Sequence, residues 1–184
     1  IWPKPPRILG RALTVEIPAS CSTMLHHAIG MGQPGDILVI DRRGDQTYAC
    51  LGGGVARNAM GQGILGAVID GPCTDAEELA EIGFPVWCTG RSPTTTRQAD
   101  VGGGVHVNVS VGGVAVTPGA AVLADEDGVL ALSPEMAVYV GEVAQARKEA
   151  LQQRIANRVP GVTLGEFSGA SGLVGASRLN ATVP

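Results

Sequence analysis

The residues best placed to do chemistry lie within Gly52–Asp75. A run of three glycines, Gly52–Gly54, opens a predicted helix, and a later turn carries Asp70 and Asp75 after a short apolar strand. Glycines at a helix start expose unpaired backbone N–H groups at the positive end of the helix dipole, which suits a small anion. Carboxylates beyond the end of a strand are typical ligands or catalytic groups of α/β proteins. The pattern favours a pocket for an anionic small molecule beside a metal ion.

Each of these residues also has a purely structural interpretation. Asp75 could cap the helix predicted to begin at Ala76 instead of binding a metal. Asp70 fits a turn-stabilising role better than a ligand role. Cys73 is expected to be an inert thiol, although a neighbouring metal would lower its pKa.

Composition excludes several classes of protein. The chain has 184 residues, 45% hydrophobic but only 3% aromatic, and a net charge of −4. No basic stripe is present, so we expect no nucleic-acid partner. The four cysteines lack CxxC spacing and no apolar run approaches eighteen residues, which predicts reduced thiols, a cytoplasmic location and no membrane span. We also expect that a segment precedes Ile1.

The pattern of apolar residues predicts an α/β fold with a hairpin-rich second half. Strands and helices alternate at first: strands at 11–17, 37–41, 67–69 and 84–88, and helices from Ser22, at 55–62 and at 76–81. A strand at 105–109 and hairpins around residues 112–113 and 125–128 follow, before a helix from Pro134 to about Ile155. We predict a mixed α/β sandwich and not a doubly wound nucleotide fold.

Blocks of sequence in a fixed order resemble the RraA-like family, which holds divalent-metal-dependent 4-hydroxy-4-methyl-2-oxoglutarate / 4-carboxy-4-hydroxy-2-oxoadipate aldolases and RraA regulators of ribonuclease activity. The similar region covers roughly residues 8–151. The blocks are residues 10–15, 34–41, 66–71, 107–109, 111–119 and 124–129, together with Asp75 and Ser92-Pro93. The resemblance implies a single domain over residues 1–156, with a tail at 157–184 that packs on a neighbouring subunit of a homotrimer or hexamer.

The resemblance also implies a reaction and a set of site residues. By analogy, Asp75 holds Mg²⁺ or Mn²⁺, the amides of Gly52–Val55 bind the carboxylate of a small anionic oxo acid, and His26 matches a histidine common at that position. The implied chemistry is aldol cleavage or oxaloacetate-type decarboxylation through a metal-stabilised enolate.

Two positions depart from the aldolase pattern. Thr74 stands where an arginine would clamp the substrate, and Gly53 stands where the loop carries an acid. Threonine cannot make the two-point carboxylate contact of arginine, so Arg91 becomes a candidate replacement cation, with a solvated surface arginine as the equal alternative. The sequence therefore leaves two hypotheses: a metal-dependent carbon–carbon lyase, which could be repurposed for another substrate, and a non-catalytic binding protein like the RraA regulators.

Overall fold

The computed structural model describes residues 5–174 of the chain. Seven elements alternate along the first half: β1 (Ile8–Glu16), α1 (Thr23–Met31), β2 (Asp36–Asp41), α2 (Gly53–Gly61), β3 (Gly66–Cys73), α3 (Ala76–Ile82) and β4 (Val86–Arg91). The second half adds β5 (Gly104–Val105), β6 (Val109–Val111), β7 (Val114–Val116), β8 (Ala121–Asp125), β9 (Gly128–Leu132), α4 (Pro134–Ala156), α5 (Leu164–Ser168) and a 3₁₀ helix (Ala170–Leu173).

One mixed sheet organises the first part of the chain. Its strand order is β4-β3-β2-β1-β8-β9, with β5 pairing with the end of β1, while β6 and β7 form a separate hairpin. Strands β1 to β4 are parallel, whereas β8 and β9 are antiparallel. The predicted mixed α/β architecture and both hairpins are confirmed.

Strand β2 lies at the centre of two apolar layers. Leu38 and Ile40 pack with side chains of helices α1, α2 and α3, whereas Ile37 and Val39 pack with the β6–β7 hairpin on the other face. A strand that is buried on both faces explains why its four central residues are all apolar. The parallel strands therefore end at one common edge beneath the starts of α2 and α3.

Two sequence predictions about the strands were wrong. The predicted strand at 105–109 is broken, because His106 adopts a positive φ of 55° between β5 and β6. Strand β3 continues to Cys73, so Asp70 lies inside the strand and not in the turn with Asp75. Alternation of apolar residues does not reveal a single left-handed residue, and the short apolar run at 67–69 had suggested an earlier end to β3.

A buried arginine supports the loop between β2 and α2. The side chain of Arg42 is fully buried, and its Nη2 lies 2.8 Å from Asp45 Oδ2 and donates to the Tyr48 carbonyl at 2.9 Å. It also donates to the carbonyl of Ala19. The loop that leads to Gly52 is thus tied to the segment after β1 by hydrogen bonds to a charged group.

The described residues form two compact units. The first, up to Ala137, contains the whole sheet and α1 to α3. The second, from Val138, contains most of α4, α5 and the 3₁₀ helix, and α5 begins with a capping box between Thr163 and Glu166. The expected limits of 1–156 for the domain and 157–184 for the tail stay predictions, and residues 175–184 of that tail lie outside the described part. No helix among the described residues is long and apolar enough to span a membrane.

Candidate functional site

A cleft lies at the edge where the parallel strands end. It has a volume of about 210 Å³, and its walls come from the segments that follow β1, β2, β3 and β4. Most of the predicted site residues line it: His26, Gly52, Gly54, Val55, Thr74 and Asp75. Ser22, Thr95, Thr96 and Gln98 also line the cleft, and the sequence had not singled them out as site residues. The predicted turn and helix start therefore meet in one site.

The Asp75 carboxylate accepts two hydrogen bonds near the N-terminus of α2. Its Oδ2 accepts a hydrogen bond from the Gly53 N–H at 3.1 Å, and its Oδ1 accepts one from the Thr74 hydroxyl at 3.2 Å. The residue occupies the N-cap position of α3, but its φ is 51° and its side chain makes no capping bond to that helix. The helix-cap alternative thus fails for the side chain, whose carboxylate points to α2 instead.

The glycines at 52 and 53 make room for acidic side chains. A Cβ at position 52 would lie 2.3 Å from Asp75 Oδ2 and 2.6 Å from Thr74 Cγ2. A Cβ at position 53 would lie 2.1 Å from Glu78 Oε2, so the space next to Gly53 is filled by a carboxylate from α3. Sequence reasoning missed Glu78, and the only available signal was its spacing of three residues from Asp75.

The start of α2 leaves further donors in the cleft. Gly52 is its N-cap, and the first intrahelical bond runs from Ala56 N–H to Gly52 carbonyl. Among the described residues, the N–H groups of Gly54 and Val55 find no acceptor, as expected for the first turn of a helix. These two amides could bind one end of a carboxylate.

His26 connects the cleft to a second cavity. Its exposed ring lies on α1, with Nδ1 3.4 Å from the Gln98 side-chain nitrogen. The second cavity has a volume of about 330 Å³ and shares His26, Gly54 and Val55 with the cleft. A ligand longer than the cleft could therefore extend past this histidine.

Two predicted or suspected residues lie elsewhere. Arg91 is exposed at the end of β4, in register with Cys73, and it is not among the residues that line the cleft. Asp70 lines a separate, mostly apolar cavity of about 310 Å³. In the described part of the chain, no lysine or arginine lines the cleft.

The cysteine beneath the site is buried and pairs with a second thiol. Cys73 Sγ and Cys88 Sγ lie 3.7 Å apart on neighbouring strands. The hydrogen bond to Cys88, followed by burial, raises the pKa of Cys73, while the same bond lowers the pKa of Cys88. The expectation of an inert Cys73 agrees with its burial.

The donor set fits a hydrated Mg²⁺ or Mn²⁺ better than a closed metal centre. Among the described residues, no three His, Cys, Asp or Glu side chains cluster as a set of ligands. Mg²⁺ keeps several of its waters and commonly takes only one or two protein carboxylates, whereas structural zinc sites take four ligands. Asp75, whose two oxygens each retain a free lone pair, could hold such an ion.

Comparison with known proteins places this site in a family. A family model described as RraA-like, Aldolase/RraA, matches residues 1–131. The chain belongs to the RraA-like family. The 4-hydroxy-4-methyl-2-oxoglutarate aldolase of Thermus thermophilus is 35% identical over 127 residues, which is 68% of this chain and 76% of that protein. A Halalkalibacterium halodurans protein, provisionally named as the same aldolase, is 31% identical over 156 residues, covering 83% of this chain and 74% of its own length.

A solved structure adds the second kind of relative. A Streptomyces coelicolor member of the RNase ES inhibitor RraA protein family superposes with a TM-score of 0.73 and 31% identity, over 84% of this chain and 78% of that one. The three relatives described here carry two kinds of name, aldolase and ribonuclease inhibitor. Membership confirms the resemblance seen in the sequence, and it supports a lyase or an RraA-like regulatory role at the level of the family.

Proposed function

We propose that this RraA-like protein is a divalent-metal-dependent lyase that cleaves a carbon–carbon bond of a small oxo acid. The observation that carries the proposal is the fixed carboxylate of Asp75, which accepts the Gly53 N–H and lies in a cleft lined by the free amides of α2. A surface regulator needs neither a preoriented carboxylate nor a cleft at the ends of parallel strands. The aldolase names of two relatives support the same class of reaction.

Different residues of the cleft would bind the oxo group and the carboxylate of the substrate. Asp75 would hold Mg²⁺ or Mn²⁺, and the ion, when bound, supplies Lewis-acid stabilisation of the negative charge that develops on the oxo acid. The Gly54 and Val55 N–H groups would orient the substrate carboxylate at the positive end of α2. Thr74 keeps the Asp75 carboxylate turned toward the cleft through its hydroxyl.

No lysine or arginine lines the cleft among the described residues, which favours a substrate with few negative charges and a reaction that needs few catalytic groups. An arginine at position 74 would clamp a second carboxylate, but Thr74 has no charge, and Arg91 lies outside the lining. Decarboxylation of an oxaloacetate-type acid breaks one carbon–carbon bond, releases CO₂ and takes up one proton from water. It requires no base to deprotonate a hydroxyl, as aldol cleavage does, so we favour decarboxylation or aldol cleavage of a substrate with low negative charge.

A turnover assay tests the proposal. Pyruvate release from oxaloacetate and from 4-hydroxy-4-methyl-2-oxoglutarate is measured with Mg²⁺ or Mn²⁺, against a metal-only blank because free metal ions also decarboxylate oxaloacetate. We expect metal-dependent turnover that Asp75→Ala and excess chelator abolish. Asp70→Ala is the matched control, since Asp70 lines a different cavity. Full turnover by Asp75→Ala would contradict the proposal.

The alternative is a non-catalytic RraA-like protein that acts through its surface. It is favoured by the uncharged Thr74 and by the relative from the RNase ES inhibitor family. Failure of the wild-type chain to release pyruvate or to bind a divalent ion would support it. In either case we propose a cytoplasmic protein that assembles as a homotrimer or hexamer. The proposed assembly is supported by α4, because none of its 23 residues is buried among the described residues and the helix needs a partner surface.

A further inference from the structure

Two thiols that the proposed reaction does not use are in contact near the end of β3. Cys73 Sγ and Cys88 Sγ lie 3.7 Å apart on the neighbouring strands β3 and β4. All four cysteines of the chain are free, and Cys73 and Cys88 are the pair whose sulfur atoms are hydrogen-bonded to each other. Two thiols in such close contact can form a disulfide when an oxidant converts one of them into a reactive sulfur species.

Cys88 is the more accessible of the two thiols. It is half-buried and lies on β4, the terminal strand of the sheet, whereas Cys73 is fully buried beneath it. The hydrogen bond with Cys73 also lowers the pKa of Cys88, which raises the fraction of the nucleophilic thiolate. Cysteines that react with peroxides commonly combine partial exposure, thiolate character and a second thiol next to them. Cys88 therefore has the position of an attacking thiol, and Cys73 has that of the second thiol.

The two sulfur atoms meet although their backbones do not lie directly opposite each other. In the pairing of β3 with β4, Cys88 is in register with Ile69, and Cys73 is in register with Arg91. The Cys88 S–H donates to the Gly90 carbonyl at 3.1 Å, which directs its sulfur along β4 toward the level of Cys73. Closure to a disulfide of about 2.05 Å requires the end of β3 to move toward Cys88. A disulfide strained in this way is easily reduced, which suits a reversible modification.

We propose that Cys88 is a modification site for small hydroperoxides and that Cys73 converts the product into a reversible disulfide. The Cys88 thiolate attacks the hydroperoxide, so that an S–O bond forms, the O–O bond breaks, and the departing alcohol or water takes up a proton. The Cys73 sulfur then attacks Cys88 Sγ: the S–S bond forms, the S–O bond breaks, and hydroxide leaves as water with the Cys73 proton. The two thiols together lose two electrons, which the hydroperoxide gains.

The disulfide changes the cleft, because Cys73 directly precedes Thr74 and Asp75. The Thr74 N–H donates to the Leu51 carbonyl at 3.0 Å, and the Asp75 carboxylate accepts the Gly53 N–H at 3.1 Å. Movement of Cys73 toward β4 pulls the turn away from both of these partners. Oxidation therefore weakens the two hydrogen bonds that hold the turn against the start of α2. This effect does not depend on the proposed reaction, since it requires no bound metal or substrate.

Oxidation of the whole chain with hydrogen peroxide tests the modification site. Free thiols are counted and disulfides are mapped by mass spectrometry in the wild type, Cys88→Ser and Cys50→Ala. We expect the wild type to lose two of its four thiols in a Cys73–Cys88 disulfide within one chain, and dithiothreitol to restore both. Cys88→Ser should keep its remaining thiols at the same peroxide dose. Cys50→Ala, the control that removes a buried thiol from outside the pair, should form the same disulfide as the wild type.

The order of the two steps is tested with dimedone, which traps sulfenic acids. Cys73→Ala keeps the attack on peroxide but loses the second step, so dimedone should label Cys88. The wild type, treated with peroxide and dimedone together, gives the same test without a substitution in the core, and its adduct should also lie on Cys88. Retention of all four thiols by the wild type, a disulfide that includes Cys21 or Cys50, or an adduct on Cys73 in place of Cys88 would overturn the proposal.

Amide hydrogen exchange measures the effect of the disulfide on the cleft. In the oxidised wild type the N–H groups of Gly53 and Thr74 should exchange faster than in the reduced protein, because each loses its acceptor. Dithiothreitol should restore the slow exchange, and peroxide should not change the exchange of Cys88→Ser. Equal exchange of these two amides in the reduced and the fully disulfide-bonded wild type would overturn the link between the thiol pair and the cleft.

Discussion

Replacing Gly52 with alanine should disable the site while sparing the fold. The new methyl group would lie 2.3 Å from Asp75 Oδ2, whereas ordinary contact begins at 3.4 Å, so the carboxylate must retreat by about 1 Å. The Gly53 N–H bond to Asp75, now 3.1 Å, would then exceed hydrogen-bonding distance. A hydrogen bond to a charged group contributes roughly 1.5–3 kcal/mol, which corresponds to about a tenfold to hundredfold loss of Mn²⁺ affinity if the bond orients the ligand.

The same variant should lose some stability but keep its fold. Gly52 is the N-cap of α2 with φ of −143°, a conformation that alanine adopts freely, so the expected loss is the roughly 1–3 kcal/mol of the displaced hydrogen bond and the crowded methyl group. Calorimetric Mn²⁺ titration and thermal unfolding are compared with Gly61→Ala, which places its methyl group in open space in the same helix. Wild-type affinity in Gly52→Ala, with Asp75 shown to be needed for binding, would refute the argument that the Gly53 contact orients the carboxylate.

Three other predictions address the substrate, the fold and the thiols. Thr74→Arg should tighten binding of pyruvate-type acids by roughly ten- to hundredfold through a charge-assisted clamp; unchanged binding would show that the pocket suits another ligand. Arg42→Met should lower the free energy of unfolding in urea by about 3–5 kcal/mol, because the half-buried Asp45 carboxylate and the carbonyls of Ala19 and Tyr48 would lose the buried guanidinium that donates to them; a loss below about 1 kcal/mol would refute this. The hydrogen bond with Cys73 lowers the pKa of Cys88, so the rate at which iodoacetamide alkylates Cys88 should rise with pH at a midpoint below the usual thiol pKa of about 8.5. Cys88→Ser serves as the blank, and a midpoint at or above about pH 8.5 would contradict this prediction.

Periodicity in the sequence predicted the elements that build the sheet. Strand β2 and the two hairpins follow from apolar runs bounded by turn residues, and helices α2 and α3 follow from their glycine and acidic starts. The break at His106 was not predictable, because one residue with positive φ leaves the alternation of valines around it unchanged. The burial of Arg42 was also hidden, since a charged residue in a polar loop normally faces solvent.

The sequence predicted those parts of the site that depend on local pattern and missed those that depend on how distant elements pack. Glycines and an aspartate at fixed places in one turn identify local chemistry, and the structure brings Gly52, Thr74 and Asp75 together as the sequence indicated. The place of Glu78 depends on how α3 packs against α2, which no local pattern encodes. Arg91 lies outside the lining of the cleft, because a position near the turn does not fix where a strand end lies in three dimensions.

Mn²⁺ binding with oxalate, a mimic of the pyruvate enolate, tests the central claim most directly. Wild type and Asp75→Ala are titrated with Mn²⁺ by calorimetry, each with and without oxalate, and Asp70→Ala serves as the control from outside the cleft. The account predicts that the wild type and Asp70→Ala bind Mn²⁺ more tightly when oxalate is present and that Asp75→Ala binds neither ligand measurably. Equal Mn²⁺ and oxalate binding by Asp75→Ala and the wild type, or no binding by the wild type, would contradict a metal and oxo-acid site at Asp75.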